Sequence, residues 1–184
     1  MKCTDCGNAM TKSVGDHLYT ESGLDNVLLH DVVTYSCESC GAKRVQLQAV
    51  GPLHRAIALA IAEKPARFVP QEVRFLRDHL GLSNKEFAEL MGVSPEQASR
   101  WSTSEPIGVP AERFLRILAI VGPELIAMRG QSEPKLSDIV HAQDSPRQIV
   151  EVLGHLPSPS IPAQDITINL RRRKAGWEPE ARAN

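Results

Sequence analysis

The sequence lacks several features, and each absence narrows what the protein can be. No run of about 18 apolar residues occurs in the 184 residues, so no membrane span is predicted. The first ten residues, MKCTDCGNAM, lack the apolar core of a signal peptide, so a cytosolic protein is expected. The six histidines are scattered, and no Ser/His/Asp or paired-carboxylate set stands at catalytic spacing. An enzyme is therefore not expected.

A basic excess is also missing, since the formal net charge is −1. Residues 1–50 hold four Lys/Arg against six Asp/Glu, residues 51–130 ten against nine, and residues 131–184 seven against seven. No segment is a basic tail that would coat DNA non-specifically. Any DNA binding is therefore expected to use a local patch and specific contacts. The acidic first segment is a poor candidate for a DNA-facing part.

All four cysteines lie near the start, in two Cys-x-x-Cys pairs that are each followed directly by glycine. The pairs are Cys3 with Cys6 and Cys37 with Cys40. At this spacing two thiolates can bind one Zn²⁺ at about 2.3 Å, and four sulfurs leave no position for water or substrate. The pattern predicts one structural zinc ion. Two disulfides are the alternative, which fits a cytosolic chain poorly.

The 30 residues between the two pairs must return the chain to the metal. His17–Thr20 can start a strand, Ser22–Asp25 can turn, and Asn26–Ser36 is rich in strand-forming residues. Arg44–Ala49 alternates between polar and apolar side chains, as a half-buried strand does. These signals predict a β-rich zinc module. Four thiolates with Zn²⁺ would add a formal charge of about −2, which suits either a basic protein partner or a purely structural module.

The segment Ser83–Trp101 has the pattern of two short helices joined by a turn at Gly92-Val93. A serine begins each helix, with Glu or Gln three residues later, which is the spacing of a capping box. Phe87, Leu90 and Met91 are expected to line one face of the first helix. The pattern predicts a helix-turn-helix, with a purely structural αα-hairpin as the alternative. The exposed face of the second helix carries Glu96, Gln97 and Arg100.

Further helices are predicted over residues 53–63, 71–80 and 111–121, with a short turn at 124–128. Gly51-Pro52 is expected to end the zinc module, Lys64-Pro65 to form a hinge, and Gly122-Pro123 to break the chain. In the third of these helices, four apolar positions fit burial. They are Phe114, Leu115, Leu118 and Val121.

The predicted architecture is α+β with two domains. A four-cysteine zinc-binding, β-rich module (1–50) is followed by a connecting helix and hinge (51–65), an all-α helix-turn-helix domain of repressor type (66–129) and a C-terminal extension (130–184). The extension is predicted to hold a helix at 145–153, a Pro-rich linker at 156–162 and a strand at 165–170. That strand can pair with the zinc module, a second copy or a partner; a disordered tail is the alternative. The basic run Arg171–Lys174 is either a phosphate contact or a solvated cluster.

This order of modules resembles the MqsA-type (YgiT-type) zinc-finger/Xre antitoxins of bacterial toxin–antitoxin pairs, over roughly residues 1–125. The resemblance is carried by the two cysteine pairs, LSNKE at 82–86, ASRW at 98–101 and PAERFLRIL at 110–118. It implies that the zinc module binds a toxin, a small basic ribonuclease. It also implies that a homodimer of the helix-turn-helix modules binds a palindromic operator in double-stranded DNA and represses its own operon.

In that family an Asn near the start of the recognition helix and an Arg four residues later read bases. Arg100 matches the Arg, but Glu96 occupies the Asn position, so the resemblance does not give the operator sequence. A Glu can accept a hydrogen bond from cytosine and Gln97 can pair with adenine, while Ser83 and Lys85 are expected on phosphates. The predicted DNA-contacting set is Ser83, Lys85, Ser94, Glu96, Gln97, Arg100, Ser102 and Thr103.

Alternatives remain at three points. A stand-alone transcriptional regulator or adaptor without a toxin is the second functional interpretation, and a structural Arg100 paired with a nearby Glu is the second interpretation of that residue. A homodimer is expected because one short helix reads only a few base pairs; residues 53–61 and 111–121 are the candidate surfaces. Chelation of zinc is expected to unfold the first domain and spare the second.

Overall fold

A computed structural model describes residues 1–128, 162–164, 166–174 and 176–180, and it shows a mixed α/β protein. The chain divides into two compact units, Met1–Ile57 with Thr167–Asn184, and Ala58–Ile166. The end of the chain therefore belongs to the same unit as its beginning. The predicted helix at 145–153 and all but the last residue of the predicted linker at 156–162 lie outside the described residues.

The strands lie in the first unit and most of the helical structure lies in the second. The strands are β1 (Thr11–Leu18), β2 (Val27–Ser36), β3 (Lys43–Gln46), β4 (Ile168–Arg173) and β5 (Gly176–Pro179). The helices are α1 (Val50–Glu63), α2 (Pro70–His79), α3 (Asn84–Met91), α4 (Pro95–Trp101) and α5 (Val109–Met128). A short 3₁₀ turn, Thr20–Ser22, lies between β1 and β2.

Strand β2 is the centre of a sheet that has five strands within the described residues. On one side β2 pairs with β1 along most of its length, in the antiparallel sense. On the other side its second half pairs with β3 and its first half pairs with β4. The predicted strand at 26–36 is confirmed, and both of its edges are satisfied by other strands.

The strand predicted in the C-terminal extension is confirmed at Ile168–Arg173, and it pairs with the first unit's own sheet. It runs parallel to β2, with Val27 opposite Ile168 and Leu29 opposite Leu170. The side chains of all four residues are buried. Burial of this apolar face holds the end of the chain on the sheet, since each such side chain contributes roughly 1.5–3 kcal/mol.

The basic run begins inside this strand, and its arginines are part of the fold. Arg171 makes an ion pair with Asp31 and lies 2.8 Å from a carboxylate oxygen of Glu180. Arg172 donates a hydrogen bond to the side chain of Gln48, and Arg173 lies 3.8 Å from Glu178. All the partners of these three arginines lie in the first unit. Each arginine is thus occupied within the first unit.

A β-bulge in β2 places His30 between two acidic side chains. Gly15 pairs with Val32 but His17 pairs with Leu29, so β2 carries one extra residue, and Asp31 has a φ of 58° there. The bulge bends the strand and re-aims the neighbouring side chain. Three acceptors then surround the ring of His30. Nδ1 lies 2.9 Å from Asp16 Oδ1, and Nε2 lies 3.1 Å from Glu180 Oε2 and 3.4 Å from Asn169 Oδ1.

Because both ring nitrogens face acceptors, only the doubly protonated ring satisfies them. The hydrogen bond to Asp16 raises the pKa of His30, with smaller contributions from Asn169 and the charge of Glu180, against the opposing effect of burial. Arg171 also contacts Glu180 and competes for the same carboxylate. The charged ring thus links β1, β2 and the C-terminal strands.

We expect the stability that His30 adds to depend on pH. A group with a raised folded pKa stabilises the fold below its unfolded value, which is about 6.5 for His, and this contribution is lost as pH rises through the folded pKa. The excess stability of the unsubstituted chain over His30→Gln should therefore be largest in mild acid. It is measured by urea unfolding between about pH 5.5 and 8.5, following Trp177 fluorescence in a Trp101→Phe background.

His54 is the matched control because burial lowers its pKa. Its Nε2 lies 2.9 Å from the Tyr19 hydroxyl, and either group can donate this hydrogen bond. The contribution of His54 should therefore be lost as pH falls, and His54→Gln should show the opposite trend. A pH-independent difference for His30→Gln would contradict the assignment.

Most of the helix boundaries follow local signals. Helix α2 begins at Pro70 and Gly81, with a φ of 68°, follows its end. The predicted break at Gly122-Pro123 is wrong. Helix α1 begins at Val50, so Pro52 lies in its first turn, where no backbone donor is lost. Helix α5 continues through Gly122-Pro123 to Met128.

The reason for Gly122 is packing. A Cβ atom built on it would lie 2.6 Å from Leu80 Cδ2, so the glycine admits the Leu80 side chain. On the same helix the expected core position Phe114 is 39% exposed, whereas Leu115 and Arg116 are fully buried. On α3, Phe87 and Ala88 are buried while Leu90 is 44% exposed. The buried faces of both helices are therefore rotated from those the apolar residues predicted.

A buried guanidinium holds the segment at Lys64-Pro65, where a hinge is predicted. Arg116 Nη1 donates hydrogen bonds to the carbonyls of Ala62 and Lys64 at 2.7 and 2.8 Å. Its Nη2 donates to the Ala66 carbonyl at 2.7 Å and to a Glu112 carboxylate oxygen at 2.8 Å. The side chain thus satisfies carbonyls that the end of α1 leaves without helical partners.

Neighbouring charges complete this buried network. Glu112 also accepts a hydrogen bond from Arg67 Nε at 3.1 Å and from the backbone of Phe68 at 3.3 Å. The guanidinium carbon of Arg116 lies 4.3 Å from the centre of the Phe68 ring. Beside it, buried Lys64 lies 2.6 Å from Glu72 and donates to the Gln164 carbonyl at 2.9 Å. Every charge in the network has an opposite partner.

We expect Arg116→Met to destabilise the second unit by about 3–5 kcal/mol, because buried Glu112 loses one of its two arginine partners and three main-chain carbonyls lose this donor. Urea unfolding followed by Trp101 fluorescence, in a Trp177→Phe background, measures the loss. Arg113→Met is the control, since Arg113 is exposed on the same helix, and its effect should stay within about 0.5 kcal/mol. Equal unfolding midpoints for the two variants would contradict this role.

Candidate functional site

The first part of the candidate site is built from two turns of the same geometry. In one turn the Cys3 amide donates to Asn8 and the Gly7 amide donates back to the Cys3 carbonyl, at 2.8 and 2.9 Å. In the other, Cys37 and Gly41 repeat this pattern, at 2.9 Å for both bonds. Both glycines have φ near +77°, at 77° and 76°, a conformation that other residues rarely adopt. Each turn holds its two cysteine side chains toward the other.

The four sulfur atoms meet between these turns. The Sγ atoms of Cys3 and Cys40 are 3.6 Å apart and those of Cys6 and Cys37 are 3.4 Å apart, and all four lie within 4.8 Å of one another. A disulfide would need about 2.05 Å, and all four cysteines are free. A tetrahedral ion with bonds of about 2.3 Å requires sulfurs about 3.8 Å apart. The cluster can therefore hold a metal ion.

Two of the cysteines have shifted pKa values, in opposite directions. The backbone N–H of Cys40, then the Cys6 thiol, lower the pKa of Cys37 to about 7. For Cys40 the backbone N–H of Ala42 favours the thiolate, but the neighbouring thiols and burial outweigh it and raise the pKa to about 12. One thiolate forms readily and the next is opposed. A bound cation would supply the charge that lets all four deprotonate.

The cluster is partly buried and is supported on one side. Cys3 and Cys37 pack with Met10 in a small buried group, and Tyr35 and Ala42 pack against it. Cys6 and Cys40 are exposed, and Asn8 donates to the Cys6 sulfur at 3.6 Å. A donor to a ligating sulfur is a common outer contact of metal sites.

Removing a ligand should remove the metal. We expect Cys37→Ser to lower the metal content from about one ion per chain to near zero, measured by elemental analysis of the purified protein. Ser39→Ala is the control, because Ser39 lies between two of the four cysteines and is outside the cluster itself. Full metal content in Cys37→Ser would contradict the assignment. In the unsubstituted site, a chelator should expose Trp177 of the first unit and leave Trp101 of the second unit unchanged.

The second part of the candidate site is the helix pair α3–α4. Ser83 Oγ accepts from the Glu86 amide at 3.3 Å, and the Glu86 carboxylate accepts from the Ser83 amide at 2.8 Å, so the first capping box is confirmed. Gly92, with a φ of 66°, ends α3. Asn84 Nδ2 donates to the Pro95 carbonyl at 2.9 Å and ties the starts of the two helices together.

The second capping box is only half formed. Ser94 Oγ accepts from the Gln97 amide at 3.2 Å, as predicted. The Gln97 side chain does not return to the helix start, because it is engaged elsewhere. Its Nε2 donates to Glu105 at 3.2 Å, and its Oε1 accepts from Arg100 Nη2 at 2.6 Å. Arg100 Nε lies 3.1 Å from the other Glu105 oxygen.

The remaining residues predicted to contact DNA fall into two groups. Lys85 is 80% exposed with Glu89 3.9 Å away, and Glu96 is exposed with its pKa lowered by its own backbone amide, the Ser94 side chain and the charge of Arg100. Ser102 is buried, and its hydroxyl donates to the Ala98 carbonyl at 3.2 Å. Thr103 donates likewise to Ser99 at 3.0 Å. These two hydroxyl protons are committed to α4.

Sequence reasoning missed Glu105 and Asn84. Asn84 follows the cap residue, and its reach to the next helix depends on how the two helices cross. Glu105 lies in a loop without periodicity, so no pattern points to it. The only available signal was the general expectation that an exposed Arg finds a carboxylate nearby. That signal does not identify which one.

Comparison with known proteins identifies no relative: no family model, no curated protein and no solved structure matches the chain. Within the described residues, none of the helices has the length and apolar character needed to cross a membrane. The assignment of function therefore depends on the geometry of the site and on the sequence pattern.

Proposed function

We propose that this protein is a zinc-stabilised, sequence-specific DNA-binding autorepressor that acts as the antitoxin of a toxin–antitoxin pair. The observation that carries the DNA-binding part is the capped pair α3–α4, which leaves Gln97 and Arg100 on the outer side of α4. Arg100 is 48% exposed. This pair is the proposed helix-turn-helix, with α4 as the recognition helix.

Zn²⁺ is the proposed metal. Four cysteines in two turns, with sulfur separations near those of a tetrahedron, match a structural site with four thiolate ligands. All four positions are filled by sulfur, so the ion would hold the two turns together. It would offer no open position for chemistry.

In the proposed complex Arg100 donates to guanine in the major groove, and Lys85 contacts a phosphate. Glu96 faces the same side of α4 and would select against phosphate or guanine oxygens near it. Ser102 is left out of the contact set because it is buried. The exposed carboxylates beside Arg100 oppose a general electrostatic attraction to DNA. The specific contact to guanine should therefore contribute more to binding than long-range attraction does.

A homodimer and a palindromic operator are proposed because the recognition helix is short. Helix α4 has seven residues and can span only a few base pairs. Two copies one helical turn apart would give useful specificity. The half-sites of the operator would then be related by a twofold axis.

The toxin partner is proposed because the two modules resemble those of the antitoxin family. The acidity of residues 1–50 no longer supports a basic partner. Residues 1–57 and 167–184 together carry ten Lys/Arg and eight Asp/Glu, because the C-terminal arginines join the first unit. The unit is therefore not acidic before metal is bound. Among the described strands, β1 pairs only with β2 and its residues are mostly exposed, so its outer edge is the proposed docking edge.

A stand-alone regulator or adaptor without a toxin is the second candidate. It gains support from the fact that the C-terminal strand already fills one edge of β2. Co-purification of the intact protein with the product of the neighbouring open reading frame separates the two. A stable complex supports the antitoxin, and its absence supports the second candidate.

The DNA-binding proposal is tested with sequences selected from a random duplex library by the intact protein. Arg100→Ala should weaken binding to the selected sequence by roughly 5- to 150-fold, the equivalent of about 1–3 kcal/mol, and relax selection at one base pair. Arg74→Ala is the control, because Arg74 is an exposed arginine on α2. Unchanged affinity and selection in Arg100→Ala would refute the assignment, as would a wild-type protein that enriches no sequence.

A further inference from the structure

Three side chains at the end of α4 form a closed ring of hydrogen bonds. The two oxygens of the Glu105 carboxylate are shared between Arg100 Nε at 3.1 Å and Gln97 Nε2 at 3.2 Å. The ring closes where Gln97 Oε1 accepts from Arg100 Nη2 at 2.6 Å. Each junction joins one donor to one acceptor, so the ring is satisfied in only one orientation of the Gln97 amide.

The loop after α4 places Glu105 at this point. The backbone amides of Thr103, Ser104 and Glu105 all donate to the Arg100 carbonyl, at 3.1, 2.9 and 2.9 Å. Three donors on one carbonyl wrap the loop around the end of the helix. The neighbouring side chain of Trp101 is buried, which anchors the turn. Glu105 is thus fixed to the residue whose side chain it contacts.

The ring occupies one edge of the Arg100 guanidinium and leaves the other edge open. Glu105 and Gln97 take Nε and one proton of Nη2, which lie on the same edge. The other edge consists of Nη1 and the second proton of Nη2, and within the described residues Nη1 makes no hydrogen bond or ion pair. These two donors form the fork that pairs with O6 and N7 of guanine.

We propose that Glu105 is a positioning residue that, through Gln97, presents the free fork of Arg100 to guanine. This inference rests on the proposed DNA-binding function and adds a division of labour to it. Gln97 would hold Arg100 and would not read adenine, because both ends of its amide are engaged in the ring. Sequence selection by this trio would then come from Arg100 alone.

A simple charge effect predicts a different result, so the two can be separated. A carboxylate beside DNA repels phosphates, and its removal should strengthen binding to every sequence alike. A positioning role predicts a loss of selectivity, because a mobile Arg100 side chain loses more conformational entropy when it binds guanine. The discriminating quantity is the ratio of affinities for the selected sequence and for random duplex.

The test uses two single substitutions and their combination. Glu105→Gln gives the ring two amides, one at position 97 and one at position 105. Because Arg100 supplies only donors, every orientation of these two amides leaves one junction where a donor faces a donor. In Gln97→Glu, two carboxylates face each other. In the double variant Gln97→Glu with Glu105→Gln, all three junctions again join a donor to an acceptor, with the net charge of the wild type. Glu89→Gln removes an exposed carboxylate on α3 and serves as the charge control.

We expect each single variant to lower the affinity ratio about tenfold, within the range of one bidentate base contact. The double variant should return to within about twofold of the wild type, which is the non-additivity of a direct interaction. Glu89→Gln should strengthen binding to both duplexes without changing the ratio. The Arg100 Nε–H resonance, followed by ¹⁵N NMR without DNA, should be protected from exchange in the wild type and the double variant only.

The outcomes distinguish this inference from the function it rests on. A selective wild type with an unchanged ratio in Glu105→Gln would overturn the positioning role alone. The same holds for an unprotected Arg100 Nε–H in the wild type, or for a double variant no better than the singles. A wild type without any sequence preference would overturn the DNA-reading proposal as a whole, and the NMR result would still report whether the ring exists.

Discussion

The second unit depends on the buried guanidinium of Arg116. Four acceptors surround it: the carbonyls of Ala62, Lys64 and Ala66 and the carboxylate of Glu112. A buried charge with so many short hydrogen bonds fixes the chain that supplies them, because each carbonyl would otherwise be left without a donor. The segment after α1 is therefore tied to the second unit by these hydrogen bonds. It is held at the start of the helical core, where α2 begins directly after it.

The first unit shows a similar dependence on a distant part of the chain. Strand β4 fills the edge of β2 that β3 leaves open, and its arginines neutralise carboxylates of the sheet. The acidity of the first 50 residues is thus a property of that segment and not of the folded unit. A partner that binds the unit meets a sheet already completed by the end of the chain. Net charge alone is therefore a weak guide to what this unit would bind.

Sequence reasoning succeeded where the signal was local. The spacing of the cysteines, the serine caps and the strand at 26–36 each depend on neighbours within a few residues. It failed where distant residues decide the outcome. No residue close to Arg116 in the sequence indicates that Arg116 is buried while Phe114 is exposed. Gly122-Pro123 is typical of a helix break, but here Gly122 is required for the packing of Leu80, which is distant in the sequence. The alternating pattern at 165–170 likewise does not indicate which strand it pairs with, because alternation determines the buried face of a strand and not its partner or register.

Arg100 and Arg116 carry the same group, and the comparison explains why one is structural and the other is available for recognition. All the acceptors around Arg116 are main-chain carbonyls and one buried carboxylate, and they use both terminal nitrogens, so no fork remains to bind a ligand. Around Arg100 two side chains use a single edge, and the side chain is half exposed. What a guanidinium can recognise is decided by the donors its neighbours leave free. In this protein the loop after α4, rather than the helix itself, decides which donors those are.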